Sequence, residues 1–509
     1  MKTIILGPPG TGKTTELLNL VREELKKGVD PTRIGYFSFT KKASIEAGTR
    51  AAKTFDLDVK RDLYNFSTLH SLAFRVLKLS RNKVMQEEDY KDFGMKCSFP
   101  ITIKKASFDS SNGLFNSDNE YLEVIDKARA SMVDLMDLYD KHQHYLDIER
   151  DTLYLVDREL TRYKKEKGLI DYGDMLQGFV DSDLAPSFDV LFIDEAQDLS
   201  ALQWEMVRTL WGRSNDTYIA GDDDQAIYTW AGADVHSFLS LRDEVDHIRI
   251  LDQSHRIPGG EIHKLAREIS FRIEDRYEKT YKARDFIGSL KKYLNVEQVD
   301  LSEGEWLVMA SAAYMLEETK EHLEMSGWYY QHRGRSSVPL DLLQAIENWE
   351  LWRKDRTMSV EQIIKIYSYL GDNVAKGYRK GKTLSREQNW YHIDECVGSS
   401  SPNHGLLVKS DWWDAFQGLD SYRISYIRRM RANGEKLSKI PRIKLSTIHA
   451  AKGGEADKVL LFSDISRAAV LANDHHPDSL HRLFYVGVTR AKEELHLVEP
   501  KNYERAYKL

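Results

Sequence analysis

Gly7-Pro8-Pro9-Gly10-Thr11-Gly12-Lys13-Thr14 fills every fixed position of the pattern G-x-x-x-x-G-K-[ST]. Apolar residues 3–6 run directly into it and read as a buried strand. Behind it, Leu17, Leu18, Val21 and Leu25 fall on one face of a helix, with Gly28 where a C-terminal cap belongs. Strand, glycine loop and helix together form the setting that a phosphate cradle needs. Glycines let backbone N–H groups curl around phosphate oxygens, and the helix N-terminus adds the positive end of its dipole. The expected nucleotide-binding residues are therefore Gly7, Pro8, Pro9, Gly10, Thr11, Gly12, Lys13, Thr14 and Thr15. Lys13 can reach the β- and γ-phosphates, and the Thr14 hydroxyl can ligate Mg²⁺. A chance Gly/Pro turn before a helix is the competing reading, and the filled positions and correct flanks disfavour it. The stretch predicts a nucleoside triphosphate but does not say what its energy is used for.

A chain of 509 residues is too long for one core, and about three to four domains are expected. Hydrophobic residues make up 41% and charged residues 30%, an ordinary globular composition with no apolar run long enough to span a membrane. The start runs straight into the glycine loop and so predicts a core strand rather than a signal peptide. Cys97 and Cys396 are too few for a zinc or iron–sulfur site, and are expected to be free thiols in a reducing cytoplasm. The net charge of −7 speaks against a uniformly basic surface, although an acidic protein can carry a basic groove.

Strand-like runs recur at residues 34–39, 190–193 and 218–220, each followed by a helical or polar segment. Such βα alternation predicts a parallel sheet covered on both faces. Charged, mostly helical sequence with a polar loop at 107–119 interrupts it and reads as an insertion. A second α/β block is expected to begin near His247 with a strand at 248–251. Further strands are expected at 306–310, 459–462 and 495–498, and a second helical insertion interrupts this block. The expected fold is α/β: two cores with parallel sheets, each carrying a mainly helical insertion. The boundaries are 1–80 and 168–245 for the first core with 81–167 inserted, and 246–353 and 441–509 for the second with 354–440 inserted.

Asp194 and Glu195 end the strand at 190–193, where ligands bind in open parallel sheets. One carboxylate can hold Mg²⁺ while the other deprotonates water. An ordinary acidic strand end is the competing reading, disfavoured by the glycine loop upstream. Asp194-Glu195-Ala196-Gln197-Asp198, with Gly221-Asp222-Asp223-Asp224-Gln225-Ala226-Ile227-Tyr228-Thr229-Trp230-Ala231-Gly232-Ala233, resembles the UvrD/Rep-type superfamily 1 DNA helicases. Other segments resemble that family's motifs in the same order. They are Phe37-Ser38-Phe39-Thr40-Lys41-Lys42-Ala43, Thr68-Leu69-His70-Ser71, Leu251-Asp252-Gln253-Ser254-His255-Arg256, Thr447-Ile448-His449-Ala450-Ala451-Lys452-Gly453-Gly454-Glu455-Ala456 and Phe484-Tyr485-Val486-Gly487-Val488-Thr489-Arg490-Ala491-Lys492.

The resemblance implies two RecA-like P-loop cores that bind ATP and Mg²⁺ and drive 3′→5′ movement on single-stranded DNA, in replication, repair or recombination. It implies Lys13, Glu195, Gln225, Arg256 and Arg490 as catalytic residues, with Thr14 and Asp194 on the metal. Gln225 would sense the γ-phosphate, Arg256 and Arg490 would reach the triphosphate from the second core, and Glu455 would bond the ribose. Phe39, Thr40, Lys41, Thr68, His70, Tyr228, Trp230 and His449 would contact DNA, with Phe39 and Trp230 stacking on bases. Core packing is the competing reading for those two rings.

Several positions depart from the family pattern. Its adenine-reading segment has no room before the first strand, and His255 stands where an aromatic residue is usual, so relaxed selectivity for ATP is expected. Ala231 stands where an arginine is usual. Only nineteen residues follow Arg490, which implies weak or altered duplex separation.

Residues 354–439 hold fifteen Lys/Arg against ten Asp/Glu, including Lys376, Arg379, Lys380, Lys382 and Arg386 in one stretch and Arg428, Arg429 and Arg431 in another. A solvated face and a duplex contact through 354–440 both fit this charge. The expected partners are single-stranded DNA and its junctions with duplex, and the expected location is the cytoplasm. The nearest alternative is a translocase that strips proteins from DNA with little unwinding. A small-molecule P-loop kinase is a remote one, since it would need neither paired cores nor a Trp230-type platform.

Overall fold

The computed structural model describes residues 1–98, 101–109, 114–375, 390–397, 405–436, 439–466, 469–470 and 477–509. The chain forms two compact units. Met1–Leu290, Ile465–Glu493 and Tyr507–Leu509 make the first, and Lys291–Asp464 with Glu494–Ala506 makes the second.

The first unit is built on a six-stranded parallel sheet. Its strands open with β1 (Lys2–Leu6), β2 (Ile34–Ser38) and β3 (Phe66–Ser67). An inserted hairpin follows, β4 (Ala106–Asp109) and β5 (Leu114–Ser117). The sheet then continues with β6 (Phe188–Asp194), β7 (Ser214–Gly221) and β8 (His247–Ile250). The order is β3-β2-β6-β7-β1-β8, and each neighbouring pair runs parallel. Helices α1 (Lys13–Lys26), α2 (Lys41–Phe55) and α3 (Leu69–Val76) lie in the first crossovers. With every strand parallel, all the C-terminal ends meet at one edge, and the loops that leave there gather in one place. Because β7 lies between β6 and β1, the chain after Gly221 emerges between the acidic pair and the glycine loop.

An aromatic column crosses four of these strands. Phe66, Tyr36, Phe192 and Tyr218 are register neighbours, with ring centroids 5.1, 6.1 and 5.3 Å apart and planes within 28° of parallel. Stacking across adjacent strands fixes register, since a slip of one residue would turn each ring to the opposite face.

The first insertion packs α4 (Glu87–Lys96), α5 (Glu120–Ala130), α6 (Leu135–His142) and α7 (Arg150–Lys167) around Phe93, Leu122, Ile125, Leu153, Val156 and Leu160. It rejoins the sheet through α8 (Tyr172–Val180), whose cap Asp171 takes a buried ion pair from Lys164 and a second from Arg129. The polar loop expected at 107–119 is instead the β4–β5 hairpin, in which Phe108 pairs with Phe115. The cross-strand aromatic pair outweighs the polar residues around it.

A parallel pair, β9 (Gln253–Gly259) and β10 (Lys282–Ile287), completes the first unit. The second unit carries a seven-stranded sheet of β11 (Ser289–Tyr293), β12 (Trp306–Ala310), β13 (Tyr330–His332) and β14 (Arg335–Ser336), then β17 (Ile443–Thr447), β18 (Ala456–Phe462) and β19 (Ala491–Val498), with the small pair β15 (Met358–Ser359) and β16 (Trp390–Tyr391) between. The order is β11-β19-β18-β12-β17-β13-β14, and β12 runs parallel to both β17 and β18. Two α/β units with parallel sheets and helical insertions are thus as the sequence predicted.

Two details differ. The strand at 248–251, expected to open the second block, is β8, which pairs with β1 at the edge of the first sheet. A crossover from β7 through the helix Val235–Ser240 brings it there, and β1 offers the open edge. The core of the second insertion reaches back to the helix Leu340–Arg353, whose Trp349 and Trp352 are fully buried with Ile363, Ile366, Trp412 and Ile427. Neither Cys97 nor Cys396 is in a disulfide. Among the described residues no helix is long and apolar enough to cross a membrane.

Phe192 is fully buried at the centre of the aromatic column. Phe192→Ala should cost about 3–5 kcal/mol. Urea unfolding followed by tryptophan fluorescence measures this, and a change below about 1 kcal/mol would show that the column does not bear on stability.

Candidate active site

The glycine loop closes on itself. Gly10 and Gly12 adopt φ values of 75° and 83°, a region that favours glycine, and a Cβ on Gly7 would lie 2.3 Å from the Lys13 side chain. Lys13 is buried, and its Nζ donates to the Gly7 carbonyl at 2.7 Å. From β9, Ser254 Oγ donates to the Pro9 carbonyl at 2.7 Å and the His255 N–H donates to the Gly10 carbonyl at 2.8 Å. Arg256 follows directly, its Cβ 2.4 Å from where a Gly10 Cβ would stand. Thr15 Oγ1 accepts from Arg50 at 3.2 Å.

Thr14 Oγ1 donates to Asp194 Oδ2 at 2.8 Å, and Tyr36 OH donates to the same oxygen at 2.9 Å. Burial, with the Glu195 charge beside it, pushes Asp194 up to about 6 against the pull of Thr14, Tyr36 and Lys13. The Tyr36 hydroxyl is raised well above its ordinary value, by burial first and then by Asp194, and stays a donor. The Thr14 hydroxyl and the Asp194 carboxylate are hard oxygen donors in contact with each other. That set fits Mg²⁺, which keeps waters and phosphate oxygens as its remaining ligands. Among the described residues no cluster of three or more His, Cys, Asp or Glu forms an all-protein metal cage.

Glu195 sits in the left-handed region at φ 54°, ψ 40°, a strained conformation for a residue with a Cβ. Its Oε2 accepts from the Gln197 amide at 2.6 Å. Gln197 is fully buried, and its Oε1 accepts from the Asp222 N–H at 3.0 Å. This one amide ties the carboxylate to the strand end that carries Gln225. Gln225 Nε2 donates to Asp222 Oδ2 at 2.7 Å, and Gln225 Oε1 accepts from Arg490 Nη2 at 2.9 Å. Arg490 is buried, with Nε on the Val486 carbonyl at 3.0 Å.

Asp222, Asp223 and Asp224 are all buried beneath Gln225. Lys279 Nζ lies 3.2, 2.6 and 3.1 Å from their carboxylates, and Arg276 grips Asp224 through two bonds of 2.8 and 2.5 Å. Arg482 Nε donates to the Asp223 carbonyl at 3.0 Å. Burial, with Asp224 and Asp222 alongside, pushes Asp223 up to about 6 although Lys279 opposes it.

The structure thus brings Lys13, Thr14, Asp194, Glu195, Gln225, Arg256 and Arg490 into one unit. Both arginines, expected on the second core, belong to the compact unit of the glycine loop. Phe39 is buried with its ring 5.5 Å from Tyr228, and Trp230, 48% exposed, stands 6.5 Å beyond Tyr228. Thr40 and Thr68 act as helix caps, accepting from Ala43 N–H and Ser71 N–H, while Lys41 is exposed. His70 packs on Phe108 and Tyr172. His449 and Glu455 lie in the second unit, Glu455 exposed before β18. Lys376, Arg379, Lys380, Lys382 and Arg386 lie outside the described residues. Of the other basic group, Arg428 stacks on Trp413 at 4.0 Å, Arg429 bonds the Glu324 carbonyl and Arg431 pairs with Glu350.

Sequence reasoning assigned no role to Tyr36, Gln197, Ser254, Arg276, Lys279 or Arg482. Gln197 sat inside a quoted motif. For Arg276 and Lys279 the available signal was the aspartate run, because three adjacent buried carboxylates require cations.

Asp223 has a folded pKa above its unfolded value of about 3.9, so its contribution is full below about 4 and is lost as pH rises through about 6. Asn keeps the shape and cannot ionise. Asp223→Asn should therefore gain stability relative to wild type by about 1–3 kcal/mol between pH ~4.5 and ~7. Urea unfolding at the two pH values checks this, and a difference that does not change with pH would contradict the cluster's electrostatics.

The UvrD/REP helicase N-terminal domain model matches residues 1–246, and the UvrD-like helicase C-terminal domain model matches residues 443–498. The ATP-dependent DNA helicase Rep of Buchnera aphidicola subsp. Baizongia pistaciae is 24% identical over 286 residues, which cover 52% of this chain and 40% of that protein. The ATP-dependent DNA helicase PcrA of Leuconostoc citreum is 27% identical over 274 residues, covering 50% of this chain and 35% of its own length. Rep of Escherichia coli is 25% identical over 286 residues, covering 50% of this chain and 39% of its own. The matched chain thus spans well under half the length of these relatives. Both domain models fall in order around the glycine loop, the acidic strand end and the buried Arg490, and together they take in more than half the sequence, so the chain belongs to the UvrD/Rep helicase family.

Proposed function

We propose that the chain is an ATP-dependent DNA helicase or translocase that moves 3′→5′ on single-stranded DNA and engages junctions with duplex. The observation that carries this reading is the Gln225 stretch. At one end its amide is bonded to Arg490 and Asp222 beside the nucleotide loop, and a few residues on it presents Trp230 to solvent.

The chain's own groups suggest how hydrolysis proceeds. Lys13, now on the Gly7 carbonyl, exchanges that acceptor for β- and γ-phosphate oxygens of ATP. Thr14 and Asp194 would hold Mg²⁺, which would supply positive charge beside the phosphates. Glu195 takes the proton of the attacking water, and Gln197 holds the carboxylate by donating to its Oε2. Arg490 and Arg256 place positive charge where the γ-phosphate gains negative charge. Gln225, bonded to Arg490 through its own amide, is placed to report whether that phosphate is present. Phe39, Tyr228 and Trp230 supply stacking surface that tolerates any base. Glu455 on the ribose, His449 on DNA, duplex contact through 354–440 and a cytoplasmic setting belong to the same proposal.

Glu195→Gln should keep nucleotide binding and lose hydrolysis by about 10²-fold or more, since an amide cannot accept the proton. Turnover near wild type with DNA present would remove Glu195 from the mechanism. Strand displacement on tailed duplexes should proceed from a 3′ tail and not from a 5′ tail. DNA-stimulated hydrolysis without displacement from either tail would favour the translocase reading, and displacement from the 5′ tail alone would overturn the polarity.

A further inference from the structure

A cleft of about 230 Å³ opens in the first unit, bounded by α5, the start of α8 and residues 228–233. Two aromatic clusters line it. Phe39, Tyr228 and Trp230 form one. His70, Phe108 and Tyr172 form the other, with Phe108 stacked on Tyr172 at 4.1 Å and 4.5 Å from His70. Burial holds His70 down to about 4, so it is a neutral ring. The space is below the ~300–1,000 Å³ of drug-sized sites and suits a single planar heterocycle.

The charge of the lining points to the kind of ligand. Four carboxylates, Glu120, Glu123, Asp126 and Asp198, face it against Lys127 among the described lining residues. Such a wall repels backbone phosphates and favours a group rich in N–H donors. Glu120 accepts from the Asp147 N–H and Asp198 from the Gln197 amide. Asp126 is half-buried, and no described residue gives it a hydrogen bond or an ion pair. The cations nearest it are engaged elsewhere. Arg129 bonds Asp171 and Asp157, and Lys164 bonds Asp171 and Asp174. Burial and the Asp171 charge push Asp126 up to about 7, with Glu123 adding to the rise and Arg129 and Lys164 opposing it. An unpartnered carboxylate at this depth is costly, and a ligand with donors relieves it.

Guanine is the one DNA base that sets two N–H donors side by side, N1–H and N2–H. They match the two oxygens of an ionised carboxylate, whereas the other bases place an acceptor next to the donor. We propose that the cleft takes one unstacked guanine and that Asp126 reads its Watson–Crick edge. This rests on the single-strand reading above and adds a base preference to a track that stacking alone leaves indifferent to sequence.

The test compares three oligonucleotides by equilibrium binding: oligo-dT, the same strand with guanine at every third position, and that strand with hypoxanthine, which lacks the 2-amino group, in place of guanine. At about pH 8, wild type should bind the guanine strand about fivefold or more tightly than oligo-dT, the low end of one bidentate base contact. Hypoxanthine should lose most of that ratio. Lowering the pH to about 6 protonates Asp126 and should shrink the ratio. Asp126→Asn should bring the ratio to about one at both pH values. Equal wild-type affinity for guanine and hypoxanthine strands, or a ratio that survives in Asp126→Asn, would overturn the base contact while leaving the single-strand reading intact. Failure of wild type to bind any of the three would overturn both.

Discussion

Three adjacent carboxylates buried at a strand end are the constraint on which the site depends. Asp222, Asp223 and Asp224 could not stay there without compensation, because isolated buried charges are excluded from protein interiors. Lys279 meets all three, and Arg276 takes the third. The cations come from the segment after the helix Glu261–Ser270, and the aspartates come from the end of β7. Bringing them together fixes the backbone that carries Gln225, and Arg490 is thereby set against the Gln225 amide.

The parallel sheet supplies the rest of the arrangement. Because β7 lies between β6 and β1, the Gln225 stretch leaves the sheet between Glu195 and the glycine loop. Gln197 closes the link by holding Glu195 with its amide nitrogen and the Asp222 N–H with its oxygen. The aromatic column across β3, β2, β6 and β7 includes Tyr36, whose hydroxyl shares an Asp194 oxygen with Thr14. Core packing and the chemistry of the site are therefore joined through one ring.

Much of this was legible in the sequence because the motifs are local. A glycine loop between strand and helix, or Asp194-Glu195 at a strand end, carries its meaning within a few residues, and in the structure Thr14 of the one donates to Asp194 of the other. Partners far along the chain were not legible. Nothing near Lys279 points to residues 222–224, and nothing in Tyr36 points to Asp194. The β4–β5 hairpin was hidden because its one aromatic pair lies amid polar residues. β8 was misassigned because strand pattern does not say which sheet a strand joins. Thr40 and Thr68, expected at the DNA, also cap helices in the structure, a local role that the motif resemblance does not reveal.

The central claim is that the stretch from Gln225 to Trp230 couples the nucleotide to a stacked base. Stacking is worth about 1–3 kcal/mol per base, enough to grip and release DNA in a cycle. The direct measurement is single-strand affinity with and without a non-hydrolysable ATP analogue, for wild type, Gln225→Ala and Trp230→Ala. The account predicts a shift of about fivefold or more in wild type that is lost in both variants, with Gln225→Ala still binding each ligand. An equal shift in all three would contradict it.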